Sequence, residues 1–144
     1  MDRNKPDKFM AVSIVEMMIL LGIIFVLCAF FYTNYFKLMD KSRLIVARTY
    51  VLETLPSALE SFKIDIGDYP ADDQGLEALT YPPVGTEHKW KGPYISKDNL
   101  QDPWGNDYLY TYPSTQGDGD FDVWSLGKDG IPSSDDITNW RMEN

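Results

Sequence analysis

Hydrophobic positions along this chain follow three successive patterns. The first is "SIVEMMILLGIIFVLCAFF" from residue 13, nearly continuous hydrocarbon with one carboxylate, Glu16, near its start. No charged residue occurs from Met17 to Phe36, and about 20 helical residues rising ~1.5 Å each span about 30 Å, the thickness of a bilayer core. This predicts a membrane-spanning helix. A secretory signal peptide is the alternative, but its apolar core is shorter and ends at small residues, whereas Cys28-Ala29 leads here into Phe30, Phe31 and Tyr32. Arg3, Lys5 and Lys8 precede the span and Lys37, Lys41, Arg43 and Arg48 follow it, so basic-residue bias does not orient it.

The second pattern is a stripe. Leu44, Ala47, Val51, Leu55, Ala58, Leu59, Phe62 and Ile66 recur every three or four positions, the signature of an amphipathic helix. "KLMDKSR" joins the two segments without Gly or Pro, which predicts one continuous rod. Pro56 lacks the N–H that would bond to Leu52, so a kink or restart is expected there, with Thr54 as a cap. "GDYP" supplies a helix stop at Gly67.

The third pattern consists of short elements among turns. "DDQGLEAL" predicts a brief helix opened by Asp72 or Asp73 and closed before Pro82-Pro83. "DYLYTY" and "DFDVWSL" alternate with period two and predict two strands, joined through "PSTQGDG" into a hairpin. A helix stripe with nothing else to cover packs on the inner face of that small antiparallel sheet, giving an α+β fold.

Charge and cysteine content narrow the function classes. Of 144 residues carrying a net charge of -9, positions 37–144 hold 19 acids against 10 bases, so no nucleic-acid or anionic-membrane partner is expected for that part. The single cysteine, Cys28, lies in the apolar span, so the soluble part can form neither an internal disulfide nor a thiolate zinc site. Catalysis has little support: His88 is the sole histidine, and no GxSxG, HExxH or glycine-rich phosphate loop occurs. Adjacent acids such as Asp72-Asp73 read as helix caps before glycosidase carboxylates. His88 reads as an exposed loop residue, and Trp90, Trp104, Trp124 and Trp140 as packing groups rather than a sugar platform.

A short basic leader, a small residue and then "VSIVE" opening a helix resemble the prepilin signature of type IV pilins and type II secretion pseudopilins. The resemblance implies cleavage by a prepilin peptidase between Ala11 and Val12, with methylation of the new terminus, dividing the chain into a leader (1–11), a transmembrane helix (12–36) and a periplasmic domain (37–144). Glu16 then takes the fifth mature place. The family usually has Gly at the position of Ala11 and Phe at that of Val12, and a helix-breaking proline at that of Thr33. Further on, "GDYPADDQGLEAL", "YPPVG", "WKGPYI", "QDPWGNDYLY", "DVWSLGKDG" and "DITNW" follow the order of the major pseudopilin family of type II secretion systems. That likeness implies a pilin-like subunit with its N-terminus in the cytoplasm and its domain in the periplasm. Its implied role is to polymerise into a pseudopilus that helps move folded proteins through an outer-membrane secretin. The implied partners are further copies of itself (a homopolymer), minor pseudopilins, the inner-membrane assembly platform, the peptidase and the membrane. On this reading Glu16 of one subunit pairs with the free amine of a neighbour, so that a carboxylate costly in lipid is satisfied only in the correct register. The alternative is a Glu16 solvated at the headgroup level.

"LGKDGIPSSDD", residues 126–136, crowds Asp129, Asp135 and Asp136 into one turn-rich segment. A hard divalent cation taking about six to eight oxygens would relieve their repulsion; a solvated acidic loop is the alternative on residue chemistry alone. The resemblance implies a structural Ca²⁺ held by those three side chains with carbonyls of Leu126 and Ser133. "DGDFDV" fails as an EF-hand, because Val123 stands where Gly is required and Asp129 where a bidentate Glu belongs; Asp118, Asp120 and Asp122 are expected on the wet face of a strand. Two other roles remain open at this point, a type IV pilin for adhesion or motility and a periplasmic binding protein tethered by an uncut anchor.

Overall fold

A computed structural model describes residues 13–140. The chain divides into two compact units, Met1–Met39 and Asp40–Asn144. The first helix, α1, covers Ile14–Thr49. In the first unit its stretch Ile14–Tyr32 is long and apolar enough to cross a membrane, and none of that stretch is buried within the chain. Such a surface is stable only under lipid or other apolar helices, since each exposed Å² of hydrocarbon costs about 25 cal/mol in water. The helix passes through position 33, where the family's proline is missing, without interruption.

In the second unit the predicted stripe is the core. Ala47, Val51, Leu55, Ala58, Leu59 and Phe62 are buried, and they cluster with Tyr69, Leu79, Tyr108, Phe121, Val123 and Ile137. Leu44, expected in the stripe, is exposed, as are Ile45 and Val46 beside it. The restart expected at Pro56 is present, but no cap makes it. A single π turn, Tyr50–Thr54, precedes α2 (Leu55–Ile66), and the Leu55 N–H bonds to the Tyr50 carbonyl, five residues back. The wider turn seats Pro56 in the first turn of α2, where its missing donor costs nothing. Thr54 has helical dihedrals and no capping hydrogen bond, so the cap expected there does not form. Gly67 ends α2 at φ 112°, with its N–H on the Lys63 carbonyl at 2.8 Å.

"DDQGLEAL" forms a 3-10 turn, Gly75–Leu79, preceded by Gln74 with no side-chain cap. Asp72 and Asp73 therefore do not open it. The Asp72 carboxylate instead accepts the Tyr112 N–H at 3.3 Å, tying this segment to the end of the first strand. The sheet has three strands in the order β1-β2-β3: β1 Leu109–Thr111, β2 Asp122–Ser125 and β3 Ile137–Thr138. The predicted hairpin is β1–β2, antiparallel, with Leu109 opposite Trp124 and Thr111 opposite Asp122. Strand β3, which pairs Ile137 with Ser125, was not expected; two residues carry no alternation to read.

Candidate functional site

The acidic segment 126–136 is the connection from β2 to β3, so the sheet itself fixes both of its ends. Inside it, Ser133 is the organising residue. Its hydroxyl lies against the Asp135 carboxylate and 3.4 Å from Asp136 Oδ1, and its backbone N–H donates to the same Asp136 oxygen at 3.1 Å. Asp129 is engaged elsewhere, accepting the Ile131 N–H at 3.3 Å. The structure thus gathers Asp135 and Asp136 around Ser133 but does not bring Asp129 to them. Among the described residues no group of three or more His, Cys, Asp or Glu side chains is arranged to hold a metal. The donors within reach are oxygens only, a chemistry that suits a hard cation such as Ca²⁺ and not zinc.

A turn preceding β1 holds the start of this loop. Asp102, buried, accepts the backbone N–H groups of Trp104 at 3.0 Å and Asn106 at 2.9 Å on Oδ1, and the Ser125 hydroxyl at 2.6 Å on Oδ2. The Ser125 oxygen in turn accepts the Gly127 N–H at 3.0 Å, and the Asn106 side-chain amide donates to the Gly127 carbonyl at 2.7 Å. Asp102, Asn106, Ser125 and Gly127 lie in the blocks "QDPWGNDYLY" and "DVWSLGKDG" but were given no role from sequence, although Asp-Pro with Gly-Asn after Trp104 is a turn signal.

Asp122 is not on a wet face. It is 1% exposed, and it accepts the Ser114 hydroxyl at 2.6 Å and the backbone N–H groups of Thr115 at 2.7 Å and Gln116 at 3.0 Å. Burial raises its pKa, but these donors together outweigh that and hold it below the ordinary value. Asp118 and Asp120 are exposed as expected. Asp120 shares the Tyr69 hydroxyl with Glu60 and pairs with Lys63 at 3.3 Å; burial first, then those two carboxylates, push the Tyr69 pKa up. Asp65 accepts Lys91 Nζ at 2.7 Å and the Tyr94 hydroxyl at 2.9 Å, which lower its pKa in that order. His88 is exposed. The tryptophans pack as expected: Trp90 donates to the Ala78 carbonyl at 3.0 Å, and Trp124 meets Trp140 edge to face.

At the other end of the chain, Glu16 lies in the first turn of α1, where the helix dipole favours a negative charge. Ala11 and Val12, the expected cleavage junction, lie outside the described residues.

The family described as type II secretion system (T2SS), protein G, matches residues 34–140. The chain belongs to that family. It is 35% identical to the type II secretion system core protein G of Vibrio cholerae, over 98% of each chain. It is also 35% identical to the Pseudomonas aeruginosa protein of the same name, over 97% of this chain and 99% of that one. Among solved structures, the major pseudopilin from the type 2 secretion system of enterohaemorrhagic Escherichia coli superposes with a TM-score of 0.60 at 34% identity, covering 74% of this chain and 89% of that one. The α+β arrangement is therefore a pilin-like fold of the pseudopilin kind, and the type II secretion protein G family is a family of structural subunits.

Proposed function

We propose that this chain is the repeating subunit of a type II secretion pseudopilus, anchored in the inner membrane by a single pass with its N-terminus cytoplasmic and its acidic domain periplasmic. The observation that carries this beyond family membership is the apolar span Ile14–Tyr32, wholly uncovered by its own chain. Copies of the same helix supply the cover, and Glu16, one turn into it, sets their register by meeting the amine freed at Val12 of a neighbour. Polymer growth then pushes folded cargo outward through a secretin, without catalysis by the subunit. Prepilin peptidase removes residues 1–11, the inner-membrane assembly platform adds subunits, and minor pseudopilins share the filament.

A Ca²⁺ ion in the β2–β3 loop belongs to this reading. Asp129, Asp135 and Asp136 would hold it with the carbonyls of Leu126 and Ser133, and the bound charge would cancel the mutual repulsion of three clustered acids. Pairing of Asp135 and Asp136 at Ser133 supports it, since two of the three carboxylates already share one locus.

Overexpression with the rest of the secretion machinery, followed by electron microscopy and intact-mass analysis, tests the assembly reading. Loss of residues 1–11, a methylated Val12 and fibres are expected, and Glu16→Ala should insert normally but fail to form fibres. An intact Met1 with no fibres overturns the reading, and fibres from Glu16→Ala overturn the pairing.

A further inference from the structure

The geometry points to the turn Asp102–Asn106, with Ser125, as the clamp that presets the backbone of the cation loop; Asp102, Asn106 and Ser125 are positioning residues for the ion and touch none of it. This inference rests on the Ca²⁺ reading above. Gly127, the second residue of the loop, is gripped at both of its polar groups: its N–H by Ser125 Oγ at 3.0 Å and its carbonyl by Asn106 Nδ2 at 2.7 Å. Ser125 Oγ can accept there because its own proton is committed to the buried Asp102 carboxylate at 2.6 Å. A hydroxyl donating in one direction and accepting in another has no freedom to rotate. Asn106 is fixed in turn, since its N–H lies on Asp102 Oδ1 at 2.9 Å and its carbonyl accepts the Asp102 N–H at 2.7 Å.

Two consequences reach the ion. First, the grip holds Gly127 at φ 68°, a left-handed conformation that reverses the chain just after β2. Second, the Gly127 N–H shares its peptide plane with the Leu126 carbonyl, which no hydrogen bond among the described residues reaches, so holding that N–H on Ser125 Oγ fixes the direction of the Leu126 oxygen as well. The clamp therefore aims the Leu126 carbonyl, the first backbone oxygen of the loop, before any cation arrives. Asn106 also limits the loop farther along, because a Cβ on Gly130 would come within 3.1 Å of Asn106 Oδ1. Ligands held in advance bind a metal more tightly, and removing the groups that hold them commonly weakens binding by about 10–100-fold.

The test uses the full-length chain in detergent micelles, with thermal unfolding followed by tryptophan fluorescence in EDTA and across a CaCl₂ titration. Asn106→Ala and Ser125→Ala each break one arm of the clamp; the first is half-buried and the second fully buried, so either alone suffices if the other does not fold. Gln101→Ala is the control, as Gln101 lies on the same turn but bonds outward to Asp107. The clamp predicts Ca²⁺ affinity reduced at least tenfold in the two variants, with a smaller Ca²⁺-induced rise in Tm, and no change in Gln101→Ala. A purely structural role lowers Tm equally with and without Ca²⁺ and leaves the rise intact, which overturns the inference. If the wild-type chain itself shows no Ca²⁺-induced rise, the Ca²⁺ reading falls and the clamp with it; a wild-type rise matched by both variants removes the clamp alone.

Discussion

The Asp122 carboxylate, at the first position of β2, accepts the backbone N–H of Thr115 at 2.7 Å from inside the domain. It is the centre around which the β1–β2 connection is wound, because the Ser114 hydroxyl and the Gln116 N–H converge on it as well. Replacing Asp122 with Ala leaves two backbone donors of that connection without their acceptor. Each unsatisfied donor costs about 1–3 kcal/mol, so urea unfolding should show Asp122→Ala destabilised by about 3 kcal/mol. The folded-state pKa is depressed, so this contribution is whole above the ordinary value of 3.8 and is lost as pH falls through the lower folded-state value. The difference between wild type and Asp122→Ala should therefore close on strong acidification.

Asp65 offers a spectroscopic check at a second carboxylate. Lys91 lowers its pKa most and the Tyr94 hydroxyl next. Carboxyl-carbon NMR titration should show the Asp65 pKa rising in Lys91→Ala and rising by less in Tyr94→Phe. An unchanged titration in both would mean that these contacts do not persist in solution.

Gly67 carries the chain out of α2 in a left-handed conformation, and a Cβ there would meet nothing within 4 Å. The cost of Gly67→Ala is therefore conformational alone, about 1 kcal/mol, measurable as a lowered urea midpoint at unchanged slope. A larger loss would point to a contact that the geometry does not contain.

Removal of Ca²⁺ should lower the Tm of the domain, since a ligand bound only by the folded state stabilises it by about 2.7 kcal/mol at a hundredfold excess over Kd. Asp135→Asn should remove most of that response, and Asp118→Asn, an exposed acid outside the β2–β3 loop, should leave it intact. Melting curves that coincide in EDTA and in Ca²⁺ would dispose of the site.

The two helical segments and the hairpin were legible from residue spacing because each buries one face, and burial is what periodicity records. Asp122 was misread for the same reason: alternation placed it opposite Phe121 and Val123, yet its donors come from the preceding connection and let a carboxylate enter the core. Asp72 and Thr54 were misread as caps because a capping residue is recognised by its type, while its use depends on what else competes for it; Tyr112 takes Asp72, and the π turn removes the need for Thr54. In the loop, the acids were visible as a cluster, but the groups that fix its entry were not. Asp102 and Ser125 are 23 positions apart, and only the fold makes them neighbours.

The π turn at Tyr50–Thr54 also answers a problem of phase. Ala47, Val51 and Leu55 follow one another at steps of four, and in an α-helix each such step overshoots a full turn by about 40°, so the buried line would wander around the cylinder. A wider turn rotates less per residue and cancels that drift, which keeps all three side chains aimed at the same wall. Shortening Tyr50–Thr54 by one residue would rotate Ala47 away from that wall by about 100°, misaiming the line without altering a single apolar side chain.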